Sequence, residues 1–176
     1  YLGKFPLDDN GNPIPQPIRD WTYVTKTGDT VTNKDLLGTA YIADFFFTSC
    51  PTICPTVKAQ MIRHYEKFAD PPDFKLVSFT IDPKRDTPEA MKEYAEKLGV
   101  TDHDRWWFLY GDRFFTYDLD GDYLSVAEEN ADAPGGFDHS GYVVLVDKEG
   151  FVRSYASGLD PEEIAHLMED VEMLLN

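Results

Sequence analysis

The only two cysteines of the chain, Cys50 and Cys54, stand four residues apart in FFFTSCPTICPTVKAQM. An α-helix turns about 100° per residue, so positions i and i+4 share a face. The apolar run Tyr41 to Phe47 precedes the pair, and helically spaced Val57, Met61, Tyr65 and Phe68 follow it. The cysteines therefore belong where a buried strand turns into a helix, with Cys54 in the first turn and Cys50 in the loop before it. A helix N-terminus favours thiolate over thiol, and a thiolate is both a nucleophile and a soft-metal ligand. Two such groups can close a disulfide if their Cα atoms come within about 7 Å, or hold copper or zinc. Buried cysteines often only fill a core, but a turn between prolines is a poor place for that.

The elements around the pair read as a consistent order. Ile18 to Val24 and Thr30 to Thr32 flank the turn Lys26-Thr27-Gly28-Asp29 as a hairpin. Tyr41 to Phe47 is a strand covered on both faces, and Pro55 to Ala69 an amphipathic helix stopped by Pro71-Pro72. Phe74 to Ile81 is a second buried strand. Thr87-Pro88-Glu89 opens a helix over Pro88 to Leu98 that Gly99 ends. Trp106 to Tyr110 is a short strand and Asp112 to Tyr117 a helical turn. Tyr142 to Val146 and Phe151 to Tyr155 make the clearest hairpin, and Pro161 to Leu175 the last helix. A β-α-β core followed by an antiparallel hairpin and a helix is the thioredoxin arrangement. The expected fold is thus α/β: a thioredoxin-like three-layer fold with a central mixed sheet and an added N-terminal β-hairpin. Its first βα turn is where redox cysteines belong. The opening twenty residues hold four of the twelve prolines, so 1–17 is expected as an extended arm or linker and 18–176 as the domain.

A thioredoxin-like redox motif has two residues between its cysteines; this chain has Pro51, Thr52 and Ile53. The extra residue leaves room for an ion. Two thiolates are too few for a closed zinc site, so a third donor must come from elsewhere. Of the four histidines, His64 and His166 read as surface residues and His103 as solvated in a polar loop. His139, in Gly-Gly-Phe-Asp-His-Ser-Gly directly before the strand Tyr142 to Val146, is different. Glycines 135, 136 and 141 make its loop pliant, and in this fold that loop lies beside the cysteine turn. His139 is the natural third donor, and an S, S, N set with two soft sulfurs favours Cu(I). A His139 that ligates nothing remains the alternative.

The segments FFFTSCPTICP, FTIDPKRDTPEAMKEYAEKLG and DHSGYVVLVDKEGFV resemble the Sco (SenC) family, in order, across Ile18 to Leu175. The resemblance implies a copper-binding thioredoxin-fold protein that helps assemble the dinuclear copper site of cytochrome c oxidase. It implies Cys50, Cys54 and His139 as copper ligands, with one copper, Cu(I) or Cu(II), per chain. Asp82 would match a family aspartate near the site, and Asp138, before the histidine, would be a candidate to orient the ring. The implied partners are the copper-receiving oxidase subunit or another copper chaperone, and a monomer is expected. The implied place is extracytoplasmic, on the periplasmic face of a bacterial inner membrane rather than in the mitochondrial intermembrane space. The family is tethered by an N-terminal helix or lipid; this chain starts at Tyr1, so a processed or trimmed fragment is expected and any anchor lies outside it.

Composition narrows the rest. The net charge is −16, from 16 basic and 32 acidic residues, which repels nucleic acid and anionic lipid. The rival reading is a thiol–disulfide oxidoreductase acting on an extracytoplasmic partner, with metal incidental. A thiol peroxidase needs one low-pKa cysteine with an activating arginine, and the nearest after Cys50 is Arg63. Asp118, Asp120, Asp122 and Glu129 copy positions 1, 3, 5 and 12 of a calcium loop. Tyr123 stands where that loop needs glycine, which favours a plain acidic turn. Trp106, Trp107, Phe108, Tyr110, Phe114 and Phe115 read as core and rim.

Overall fold

The structure, a computed structural model, describes residues 1–49, 53–124, 127–133, 136–139 and 141–176, with the backbone alone for 53–54, 127–129 and 137–139. Thirteen labelled elements follow one another: β1 (Thr22–Thr25), β2 (Thr30–Thr32), β3 (Ala40–Phe46), α1 (Ile53–Lys67), β4 (Phe74–Thr80), α2 (Pro88–Lys97), β5 (Trp106–Tyr110), α3 (Arg113–Leu119), β6 (Ala127–Glu129), β7 (Phe137–His139), β8 (Tyr142–Val146), β9 (Val152–Ser157) and α4 (Pro161–Leu175). Short 3-10 turns lie at Asn33–Leu36 and Asp120–Tyr123.

Seven strands form one mixed sheet in the order β2-β1-β5-β4-β3-β8-β9, and β6 and β7 pair separately. β3, β4 and β5 run parallel, while β1 and β8 flank them antiparallel. β3 is buried at every position, as its continuous apolar run requires of a strand covered on both faces. This is the expected thioredoxin-like architecture, with the β1–β2 hairpin extending the sheet beyond β5.

Side chains alternate across a strand, so the two sheet faces carry different sets. One face presents Phe46, Trp106 and Phe108, against which Tyr94 of α2 and Lys58 of α1 pack. The other presents Phe45 and Phe79, packed with Trp21, Tyr23 and Tyr123 at centroid separations of 5.0–5.6 Å. The polar tips there find each other: the Trp21 indole N–H donates to Tyr123 Oη at 3.1 Å, and Tyr41 and Tyr123 hydroxyls pair at 2.8 Å. Burial raises the Tyr41 pKa and that of Tyr123 well above the ordinary phenol, so both remain neutral donors.

Helix starts follow their cap chemistry. Thr87 accepts from the Ala90 N–H at 3.2 Å and Asp160 from Glu162 and Glu163, each before a proline in the first turn; both patterns satisfy donors the helix leaves open. Gly99 ends α2 at φ +87°, a conformation that favours glycine.

Three expectations need correcting. α1 spans Ile53–Lys67 rather than 55–69, because proline is tolerated in a first turn and the helix begins ahead of Pro55. His64 is not on the surface; it is fully buried. α1 is covered by α4 as well as by β4, so its buried stripe is wider than the sheet-facing one the spacing shows. His103 is only half exposed, and its loop folds back so that Lys26 Nζ lies 3.5 Å from its carbonyl. His166 is exposed as expected.

Candidate metal centre

The described segments that carry expected donors, the start of α1 and the β7–β8 junction, lie at one rim of the sheet, where β3 and β4 end and β8 begins. Cys54 is the second residue of α1, as expected for a cysteine in a first helical turn. Cys50 lies outside the described residues. His139 ends β7, whose residues Phe137, Asp138 and His139 pair with Glu129, Glu128 and Ala127 of β6. The pliant loop read from the glycines is thus a short two-stranded ribbon, with positive φ at Gly136 and Gly141 on either side of β7.

Two close approaches bring these segments together. Gly158, just past β9, donates its N–H to the Gly141 carbonyl at 2.9 Å. A Cβ there would stand 2.7 Å from Val57 Cγ2 and 2.8 Å from that same carbonyl. Val57 lies three residues beyond Cys54, and Gly141 two beyond His139. Gly158 therefore bridges the start of α1 and the β7–β8 junction. Asp82 arrives from the other side. The Ile81 N–H donates to the Phe46 carbonyl at 2.8 Å, carrying the parallel β3–β4 ladder one residue past β4. Asp82 itself is buried; its N–H donates to Thr80 Oγ1 at 3.0 Å, and Arg85 Nε lies 3.7 Å from its carboxylate. For Asp138 the backbone alone is described, in β7 beside His139.

A donor set of two thiols and one imidazole suits Cu(I) or Cu(II). In the acidic run elsewhere, two carboxylates are engaged by an arginine. The Arg19 guanidinium takes Asp118 at 2.8 Å and Asp122 at 2.8–2.9 Å, and Asp120 is buried. Among the described residues no three acidic, histidine or cysteine side chains converge as a metal would require. A cleft of about 670 Å³ lies between residues 2–5 and Asp118–Leu124, with Phe5, Ile18 and Arg19 in its wall. It reaches Val152, which aligns with Val146 and through it with Tyr41 near the start of β3, so it sits at the sheet's far end from the cysteines.

Sequence reasoning missed two buried carboxylates. Asp86 is fully buried in the turn after β4 and binds Thr48, two residues before Cys50. Asp44 is buried in β3 and meets Lys58 Nζ at 2.5 Å. Asp86 stands in DPKRDTP, where the helix signal of Thr87-Pro88 drew attention away from the acid before it. Asp44 is an acid inside an apolar run, and Lys58 falls on the helical stripe with Met61 and Tyr65; that coincidence was the available signal.

Comparison with known proteins matches this geometry to one family. A SCO1/SenC family lipoprotein from Bacillus anthracis superposes with a TM-score of 0.82 at 26% identity, covering 97% of this chain and 100% of that one. BsSco, a member of the Sco family of cytochrome c oxidase assembly proteins with a disulfide switch, superposes at 0.79 and 25% identity over 97% and 98%. ScoI of Bradyrhizobium japonicum, with copper bound, superposes at 0.67 and 26% identity over 88% and 99%. Residues 12–176 match the family profile described as SCO1/SenC, and the chain belongs to that family.

Proposed function

We propose that this chain is a copper metallochaperone that holds one copper ion through Cys50, Cys54 and His139. It passes the ion to the dinuclear copper site of cytochrome c oxidase or prepares the cysteines of that site. The observation that carries this reading is the bridging of α1's first turns and the β7–β8 junction by Gly158. That contact puts the segment bearing Cys54 beside the segment bearing His139. Copper bound in a relative's structure and the family's role in oxidase assembly support it. Asp82 and Asp138 are the candidates to accept from the free ring N–H of His139, which fixes tautomer and orientation in metal sites.

The site would work outside the cytoplasm, one relative being a lipoprotein; among the described residues no helix is long and apolar enough to cross a membrane. Residues 1–17 serve as an arm laid against the domain, with the Leu2 N–H donating to the Val152 carbonyl at 3.0 Å. The dithiol adds a second state. Oxidation to the Cys50–Cys54 disulfide releases two protons and two electrons and removes both thiolate donors, so it lowers copper affinity. A thiol–disulfide oxidoreductase is the second reading, favoured by the disulfide switch of BsSco.

Titration of the reduced protein with Cu(I) against a competing chelator tests the reading. One equivalent is expected, with loss in Cys50→Ser and weakened binding in His139→Ala. No uptake by the reduced wild type would overturn it. Cu(II) binding unchanged in His139→Ala, with thiol–disulfide exchange retained, would move the assignment to the oxidoreductase.

A further inference from the structure

Two residues before Cys50 the chain is tied to a buried carboxylate. The Thr48 N–H donates to Asp86 Oδ2 at 3.0 Å, and the Thr48 hydroxyl bonds Oδ1 of the same group. The Thr80 hydroxyl donates to Oδ2 at 2.7 Å. Thr80 Oγ1 in turn accepts the Asp82 N–H at 3.0 Å, and the Asp86 N–H donates back to the Asp82 carbonyl at 2.9 Å. One fully buried side chain thus receives bonds from the end of β4 and from the segment entering the cysteine turn, and stands four residues from Asp82.

We propose that Asp86 is a positioning residue for the copper site: its carboxylate locks the stem of the Cys50 turn to the loop that carries Asp82. The inference rests on the copper-site reading above, but its mechanism is purely geometric. Cys50 follows the turn residues Thr48 and Ser49, so its donor atom is only as well placed as that stem. On the β3 side the stem is held by the sheet as far as Phe46, whose carbonyl accepts from Ile81. From Thr48 onward the described anchor is Asp86. A carboxylate accepts through two oxygens and about four lone-pair directions, so it can bind two chain segments at once without a compensating cation. An alanine there would leave the Thr48 N–H and two hydroxyls without their acceptor in a buried place, which favours local opening. An asparagine would preserve the node: its oxygen can accept from the Thr48 N–H and the Thr80 hydroxyl, while its NH₂ donates to a rotated Thr48 hydroxyl.

The test compares Asp86→Ala, Asp86→Asn and Thr48→Val with the wild type. Val171→Ala, a buried change in the distal half of α4, controls for a matched loss of Tm. Two readouts are taken. One is Cu(I) affinity by chelator competition, with the Cu(II)–thiolate absorption band. The other, free of copper, is the Cys50–Cys54 dithiol–disulfide equilibrium in glutathione buffers. Asp86→Ala should lose about tenfold or more in Cu(I) affinity, the scale seen when groups supporting metal ligands are removed. It should also shift the copper-free equilibrium toward dithiol by about threefold or more as the effective concentration of the two thiols falls. Asp86→Asn should stay near wild type in both. Thr48→Val, which keeps the N–H bond and the fold should Asp86→Ala fail to fold, should fall between.

The proposal is overturned if Asp86→Ala lowers Tm with both readouts unchanged, or if Val171→Ala at equal Tm loss shows the same changes. It is overturned as well if Asp86→Asn loses as much as the alanine, since charge and not geometry would then be responsible. A wild type that takes up no copper sinks the metallochaperone reading instead and leaves the copper-free readout to judge Asp86.

Discussion

The two missed carboxylates occupy different regions of the same sheet and are satisfied by different means. In the middle, Asp44 is answered by charge. Lys58 Nζ lies 2.5 Å from Oδ2, the Ser78 hydroxyl donates to Oδ1 at 2.5 Å, and the Trp106 indole N–H donates to Ser78 Oγ at 3.0 Å. The ammonium also lies 4.1 Å from the Phe46 ring centre. At the rim, the donors described on the Asp86 carboxylate are neutral: two hydroxyls and a backbone N–H. An ion pair inside a core recovers its desolvation cost only with good geometry and further hydrogen bonds; this one has both. It joins α1 to β3 and β4 at one fixed register. The neutral set at the rim does a different task, tying loop to loop where no ladder continues. The comparison predicts that damage in the middle reads out as stability, whereas damage at the rim reads out as site geometry.

The largest expected effect comes from breaking the pair in the middle. Lys58→Ala leaves Asp44 buried without its cation and should cost about 3–5 kcal/mol. Asp44→Leu combined with Lys58→Met replaces both charges by apolar groups of similar size and should recover most of that loss. Urea unfolding of both single variants and the double gives the coupling between them. Singles costing under about 1 kcal/mol, the range of exposed pairs, would erase the distinction drawn between the two regions.

A second test uses pH on the helix that supplies Lys58. His64 is fully buried; its Nδ1 lies 2.9 Å from the Gln60 carbonyl, and Nε2 has no hydrogen-bond partner among the described residues. Burial, together with Arg63 and Lys67 nearby, pushes its pKa down to about 4. The unfolded chain therefore binds this proton more readily than the folded one. The stability due to neutral His64 is fully present above about pH 6.5, falls between 6.5 and 4, and is exhausted below 4. The loss across that window should be about 3 kcal/mol. Unfolding free energies measured from pH 7 to 4 in wild type and His64→Leu should diverge by that amount; parallel curves would show that His64 does not titrate in this window.

How much of this was legible in the chain follows from the physics of each region. β3, β4 and β8 were readable because strands covered on both faces read as near-continuous apolar runs, and β9 because the turn Asp147–Gly150 sets it as β8's hairpin partner. The start of α2 was readable because Thr87, Pro88 and Glu89 act locally. The place of Cys54 in the first turn of α1 was readable because an apolar run precedes it and helical spacing follows it. His64 was misread because α1 is covered by α4, more than ninety residues away in sequence, as well as by the sheet, which the local helical spacing does not show. The β6–β7 ribbon was missed because each strand is three residues long, too short for a period of two to register. Asp86 was missed because its partners, Thr48 and Thr80, come together only when β3 and β4 pair.

The smallest of the expected effects on stability lies at the rim, at Gly158. An alanine Cβ there would meet Val57 Cγ2 at 2.7 Å and the Gly141 carbonyl oxygen at 2.8 Å, closer than such atoms pack. Val57 is a stiff β-branched residue in a helix, and Gly141 is backbone just before β8, so neither neighbour can yield by a simple rotamer change. The added methyl must push α1 and the β7–β8 junction apart. Overpacking of this kind costs about 1–3 kcal/mol, less than a broken buried ion pair. The displacement, however, falls between the segments that carry Cys54 and His139. Gly158→Ala should therefore weaken Cu(II), which relies on the imidazole, more than Cu(I), which two thiolates can hold alone. Lys58→Ala, held folded well below its Tm, should shift both oxidation states together or neither. Paired chelator competition in the two oxidation states decides it. Equal losses of Cu(I) and Cu(II) affinity in Gly158→Ala would mean that the rim contact fixes something other than the distance between thiolate and imidazole.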